Sequence, residues 1–167
     1  ISNNRKALLR LKIACEKAKI DLSSIQETQI DIDCLAEGED LLINITRMDF
    51  EECCNDLFLK CLKTLKETIK ESNLKEKDID EVVLIGGSSR IPKIREIIQK
   101  HFKLNKLNLT INPDFAVAAG AGIKAGIYTQ LSGFENLEVS DVNPLSLGVS
   151  TIGGKMSIII PKNTLIP

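Results

Sequence analysis

The stretch Val83-Leu84-Ile85-Gly86-Gly87-Ser88-Ser89-Arg90-Ile91-Pro92 narrows most what this chain can fold into. Residues 81–85 form a short apolar run rich in β-branched side chains, residues 86–89 a turn, and Pro92 stands where the first turn of a helix tolerates a missing N–H. Ile94, Ile97, Ile98 and Phe102 then recur at helical spacing. The pattern repeats: Leu107 to Ile111 reads as a strand, Asn112 as a cap, and Pro113 as the start of a helix running through Ala116, Ala118, Ala119, Gly120, Ala121, Gly122, Ala125 and Gly126. Each interior glycine costs about 1 kcal/mol relative to alanine, so this helix either meets a neighbouring backbone closely or is flexible. Two strand-turn-helix units in succession predict a layered α/β structure.

The flanking segments are legible by the same periodicities. Residues 5–22 read as a helix with Leu8, Leu11, Cys15, Ala18 and Leu22 on its core face and a basic opposite surface of Arg5, Lys6, Arg10, Lys12, Lys17 and Lys19, of the kind usually left to solvent. Ile30 and Ile32 alternate with Asp31 and Asp33, and Leu41, Ile43 and Ile45 alternate again around Gly38, which predicts a β-hairpin. Thr46 and Asp49 have capping-box spacing and open one long helix, to Ser72 and Asn73, with Phe50, Cys54, Leu57, Phe58, Cys61, Leu65 and Ile69 as its buried stripe. Residues 131–140 have the character of a linker, and Leu145 to Thr151 and Met156 to Ile160 flank Ile152-Gly153-Gly154 as a second hairpin.

Composition excludes whole classes. A content of 43% hydrophobic and 27% charged residues fits a globular domain, and a net charge of -1 gives no field drawing the chain to nucleic acid or anionic lipid. No apolar run approaches the roughly 20 residues that span a bilayer, and no signal peptide is visible. Cys15, Cys34, Cys53, Cys54 and Cys61 lack paired zinc-ribbon spacing and are expected to be reduced, mostly buried thiols of a cytoplasmic protein. The single histidine, His101, is expected to be solvated, with no triad or metal site around it. The chain opens without Met and stops after a strand-like run, which suggests a piece of a longer protein.

Chemistry can sit at three places. The two glycines let backbone N–H groups approach a ligand, and the helix N-terminus behind them favours an anion; a generic turn with Ser89 as N-cap would look similar. The segment is neither a Walker A sequence nor a dinucleotide GxGxxG. Glu16, Lys19 and Ser23 share one helical stripe, able either to hydrogen-bond a ribose and base or simply to form an exposed salt bridge. Asp114 falls where a helix dipole favours a carboxylate whatever its function.

Taken together, Ala14-Cys15-Glu16-Lys17-Ala18-Lys19, Leu22-Ser23-Ser24, Ile45-Thr46-Arg47, the run from Val83 to Ile94, Ile111-Asn112-Pro113-Asp114 and Pro144-Leu145-Ser146-Leu147-Gly148 resemble the seventy-kilodalton heat-shock chaperone family across essentially the whole chain. The resemblance implies the second, incomplete lobe of an actin-like ATPase, followed by an interdomain linker and the first hairpin of a β-sandwich that binds peptides. The divisions expected are 1–54 and 55–131 as two subdomains, 132–141 as linker and 142–167 as the start of the sandwich. It implies ATP or ADP with magnesium, the adenosine touched by Glu16, Lys19 and Ser23. Gly86, Gly87, Ser88 and Arg90 would line the ribose, phosphate and base from the other side, with Ser89 and Ile91 in the same turn and Asp114 adjacent. Catalytic residues and magnesium ligands would lie outside this stretch, so the chain alone is not expected to hydrolyse ATP. Partners implied are unfolded client peptides, J-domain cochaperones and nucleotide-exchange factors.

Three departures qualify the resemblance. Ile20 stands where the family usually has an arginine stacking on adenine, Leu137-Glu138-Val139-Ser140-Asp141 replaces a run of leucines before Asp in a shortened segment, and Phe115 stands where the family has an acid. A noncatalytic relative acting only as a binding module is therefore the alternative, while a sugar kinase of the actin-like superfamily has no need of the trailing β hairpin.

Overall fold

The computed structural model describes residues 4–104 and 107–166, so the outermost expected boundaries, at 1 and 167, lie outside the described residues. Its elements are mixed α and β, and the chain divides into two compact units, Ile1–Ala116 and Val117–Pro167.

The first unit opens with helix α1, Arg5–Asp21, capped by the Asn4 side chain, which accepts the Ala7 N–H at 3.1 Å. Strands β1, Glu27–Ala36, and β2, Glu39–Thr46, follow as an antiparallel hairpin in which Ile30 faces Ile43 and Ile32 faces Leu41. The core is Ala7 and Ala18 of α1 against Ile30, Ile32 and Leu35 of β1, with Leu11, Ala14, Leu41 and Ile45 packed around them. The buried stripe is thus turned slightly from the expected one: Ala14, not Cys15, faces the sheet. Cys15 is left exposed. Arg10, expected in solvent, donates to the carbonyls of Asp33 at 2.6 Å and Cys34 at 2.8 Å. These carbonyls become available because β1 bulges between Ile32 and Ala36, with Cys34 in the left-handed region at φ 44°.

The capping box forms as expected. The Thr46 hydroxyl accepts the Asp49 N–H at 3.2 Å, and the Asp49 carboxylate accepts the Thr46 N–H at 2.9 Å. The expected single long helix is two: α2, Arg47–Cys53, and α3, Asn55–Glu71, separated at Cys54, whose φ of -102° and ψ of 9° interrupt the helical run. Of the expected stripe only Phe58 is fully buried, edge-on to Phe50. Helix α4, Pro92–Phe102, faces α3 across a small cavity of about 50 Å3 lined by Phe58, Leu62, Leu65, Ile94, Ile97 and Ile98.

The two expected strands around 81–85 and 107–111 are reduced to one parallel bridge, Val83 with Asn108. Parallel pairing is weaker per residue and needs several neighbours, and the sheets of the described residues are all two-stranded. Ser89 is not the helix cap; Gly87–Arg90 is a short 3-10 turn and Ile91 is the N-cap of α4, with Pro92 in its first turn.

Two further expectations are corrected here. Cys15, Cys34, Cys53 and Cys61 are exposed and Cys54 half-buried, all free thiols, because the apolar faces they belong to are only partly covered. His101 is not solvated: its side chain is 13% exposed, its ring lies edge-on to Phe102, and its Nε2 is buried without a hydrogen bond, 3.7 Å from the Glu76 carboxylate.

Helix α5 runs Ala116–Tyr128, all but its first residue in the second unit, and starts three residues after Pro113 because Asn112 closes a turn first, its carbonyl accepting the Phe115 and Ala116 N–H groups. Close approach occurs at Gly126, where an added Cβ would lie 3.1 Å from the Phe134 ring; Gly120 and Gly122 have open space around them. Residues 129–140 form no helix or strand. Strands β3, Asp141–Val142, and β6, Leu165–Ile166, pair with each other, and β4, Leu147–Thr151, pairs with β5, Lys155–Ile160, around Gly153 and Gly154 at φ 85° and 70°. No helix among the described residues is long and apolar enough to cross a membrane.

Candidate functional site

The site is a cavity of about 790 Å3 in the first unit, within the range of sites that hold drug-sized ligands. One wall is the C-terminal half of α1. Glu16, Lys19, Ile20 and Ser23 recur at intervals of three to four residues, so a single helical stripe presents all four. Lys19 Nζ meets Glu16 Oε1 at 2.6 Å, and the Ser23 hydroxyl, just past the end of the helix, donates to the Lys19 carbonyl at 3.4 Å. Arg47 holds this end in place. Its Nε donates to the Leu22 carbonyl at 2.7 Å and its Nη2 to the Ile25 carbonyl at 2.9 Å, bracketing Ser23 and Ser24.

The opposite wall is the turn after Ile85. Gly86 sits at φ 84°, a conformation that side-chain-bearing residues rarely adopt, and its N–H donates to the Pro113 carbonyl at 2.9 Å. That bond ties the turn to the Asn112-Pro113-Asp114 segment. Asp114 is oriented by a local turn, its own N–H donating to Asn112 Oδ1 at 3.0 Å. Its carboxylate meets Arg90 Nη2 at 2.5 Å. Gly87 faces the same carboxylate, a Cβ there standing 3.6 Å from Asp114 Oδ1.

Of the residues singled out from sequence, Glu16, Lys19, Ile20, Ser23, Gly87, Ser88, Arg90, Ile91 and Asp114 line this one cavity. Gly86 and Ser89 do not line it; Gly86 shapes the turn and Ser89 is buried beneath it. Two lining residues carry no assignment from sequence, Ser24 and Arg95. Ser24 lies inside a quoted motif beside Ser23. Arg95 lies one residue beyond the motif's end and one helical turn past Pro92, and its Nε donates to the Ser89 carbonyl at 2.7 Å, pinning the 3-10 turn.

The wall chemistry is mixed. Lys19 with Glu16 and Arg90 with Asp114 offer both donors and acceptors to hydroxyls and ring nitrogens, Ile20 and Ile91 offer apolar faces, and Arg95 adds a cation. No side chain caps α4 and no acid lies in its first turn, so its positive end is unmasked. Among the described residues no cluster of His, Cys, Asp or Glu could hold a metal ion.

Comparison with known proteins agrees over the whole length. The family model described as "Hsp70 protein" matches residues 1–167. The chain is 48% identical to the heat shock cognate 70 kDa protein 3 of Dictyostelium discoideum, with 100% of this chain and 27% of that protein aligned. It is 44% identical to a heat shock 70 kDa protein of Neurospora crassa, covering 26% of it, and 42% identical to one of Trichophyton rubrum, covering 26% of it. In each case it spans about a quarter of the relative's length, and on the full-length match of the family model the chain belongs to the Hsp70 family.

Proposed function

We propose that this chain supplies the adenosine-facing wall of the nucleotide site in an ATP-driven molecular chaperone, which couples ATP hydrolysis to binding and release of unfolded peptides. The observation that carries this reading is the convergence of α1 and the Gly86–Ile91 turn, 60 and more residues apart in sequence, on one cavity of about 790 Å3. The Glu16 and Lys19 pair suits a ribose, whose hydroxyls both donate and accept. The backbone of Gly87 and Ser88 suits close approach of ribose and phosphate, and Ile20 and Ile91 suit the faces of a purine. The fit is to adenosine; in this reading magnesium and the hydrolytic residues are carried by other parts of the longer protein.

Residues 1–54 and 55–131 then correspond to two subdomains of the second actin-like ATPase lobe, 132–141 to the interdomain linker, and 142–167 to the first strands of a peptide-binding β-sandwich. The partners that follow are unfolded client peptides, J-domain cochaperones and nucleotide-exchange factors, in the cytoplasm. A second reading, a relative that binds without hydrolysis, is favoured by Ile20, which presents a 60% exposed aliphatic side chain on the cavity wall.

Calorimetric titration of ADP and ATP into the full-length protein tests the site. Glu16→Ala and Arg90→Ala are each expected to weaken both nucleotides by about tenfold, the loss of a charged hydrogen bond. Unchanged affinity in both variants would remove the assignment. Steady-state phosphate release separates the two readings, since a noncatalytic relative binds nucleotide without turnover.

A further inference from the structure

We propose that Cys53 and Cys54 form a dithiol site that captures a trivalent arsenic compound carrying one organic group, the organic group lying in the apolar cavity beside α1. Adjacent residues of a continuous helix do not face each other. Here Cys53 is the last residue of α2 and Cys54 is the non-helical residue before α3, so the two thiols escape that rule and both line one cavity of about 440 Å3. Its remaining wall is largely hydrocarbon, from Leu11, Leu22, Ile30, Ile45 and Phe50, with Cys15 presenting a third thiol from α1. All three cysteines are free.

Burial first, and then the neighbouring Cys53, push the Cys54 thiol above its ordinary range. A thiol kept protonated is slow toward alkylating reagents, which attack through thiolate. Arsenic(III) capture instead consumes S–H groups: two As–S bonds form, the arsenical's oxygen leaves with the two thiol protons as water, and arsenic stays trivalent, so no oxidant is needed. Two adjacent sulfurs close a chelate that a single thiol cannot. Cys34, on the β1 bulge, and Cys61, on the α3–α4 side, do not line this cavity and serve as internal controls.

The test uses phenylarsine oxide and the full-length protein carrying this chain, with intact and peptide mass spectrometry. The expected result is one arsenical, gained with loss of one water, bridging residues 53 and 54 and removed by a small dithiol but not by a monothiol. Cys53→Ser and Cys54→Ser should each abolish the bridge, while Cys15→Ser, Cys34→Ser and Cys61→Ser retain it. Affinity in the native protein should exceed that of the urea-unfolded chain by about tenfold or more, the effect of burying one face of the ring. That comparison needs no variant to fold. Equal affinity of native and unfolded protein would overturn the cavity's role, and a bridge that survives Cys53→Ser or is lost in Cys15→Ser would overturn the assignment of the two sulfurs.

Discussion

Ile20 is the residue whose identity most changes what the cavity can do. It lies one helical turn beyond Glu16 and lines the wall beside it. An isoleucine covers a purine face but supplies no cation-π attraction, whereas a guanidinium stacks flat and remains partly hydrated. Ile20→Arg in the full-length protein is therefore expected to tighten ATP and ADP alike by about 2- to 30-fold in calorimetric titration. A gain for ATP alone would place the effect at the phosphates. Asp49 sets a second expectation. The Thr46 hydroxyl, and then the Thr46 N–H, hold its carboxyl below the usual carboxylate range. A carboxyl depressed in the folded state contributes stability above its unfolded pKa of about 4 and loses it as pH falls through the lower folded value. Thr46→Ala, which removes the hydroxyl that accepts the Asp49 N–H and donates to the Asp49 carboxylate but keeps the backbone N–H of residue 46, should cost about 1 kcal/mol at neutral pH, with the difference shrinking below pH 4 in urea titrations.

At the scale of elements, two glycines with opposite surroundings predict opposite outcomes. A Cβ on Gly148 in β4 would lie 2.1 Å from the Ser157 carbonyl oxygen of β5, just where the pairing register shifts. Gly148→Ala must push the strands apart, and about 1 to 3 kcal/mol of destabilisation is expected, with loss of amide protection along β4 and β5 in hydrogen exchange. Gly120 in α5 meets nothing within 4 Å, so Gly120→Ala should stabilise its helix by up to about 1 kcal/mol in the same measurement. Stabilisation by Gly148→Ala would mean that the hairpin's close approach is not kept in solution. Helix α4 shows the same dependence on context. Glu96, held by Lys100 first and then Lys93, has its carboxyl pulled below the ordinary range, and Lys93 also reaches Glu51 of α2 at 3.7 Å, so the ion pairs link two helices that the sequence pattern treats as independent.

For the whole molecule, the segment Leu137-Glu138-Val139-Ser140 carries the proposed communication between nucleotide and peptide sites. It contains no helix or strand, and Leu137 and Val139 are both about half exposed. A docking linker contributes by burying apolar side chains at about 25 cal/mol per Å2, and two polar residues in place of leucines forfeit on the order of 2 to 4 kcal/mol of such contact. Glu138→Leu with Ser140→Leu in the full-length protein should therefore raise the rate of ATP-driven peptide release, followed by fluorescence of a labelled peptide. Release that is vigorous beforehand and unchanged afterwards would show that the linker is not limiting.

Local chemistry was legible in the residues themselves: the Thr46 and Asp49 box, both hairpins, the start of α4 at Pro92 and the Glu16, Lys19, Ile20 and Ser23 stripe all follow from spacing, because each is decided within a few residues of chain. Family membership was legible for the same reason, since ordered motifs are a property of sequence alone. What only the tertiary structure decided is where separate segments meet. The choice of Ala14 over Cys15 for the core, Arg10 on the β1 bulge and the partly buried His101 beside Glu76 each depend on a neighbour far away in sequence. The strands around Val83 and Asn108 show the limit most clearly. Their apolar, β-branched composition states a preference, but a strand's hydrogen bonds are made to another segment, so composition cannot decide how far the pairing extends beyond a single bridge.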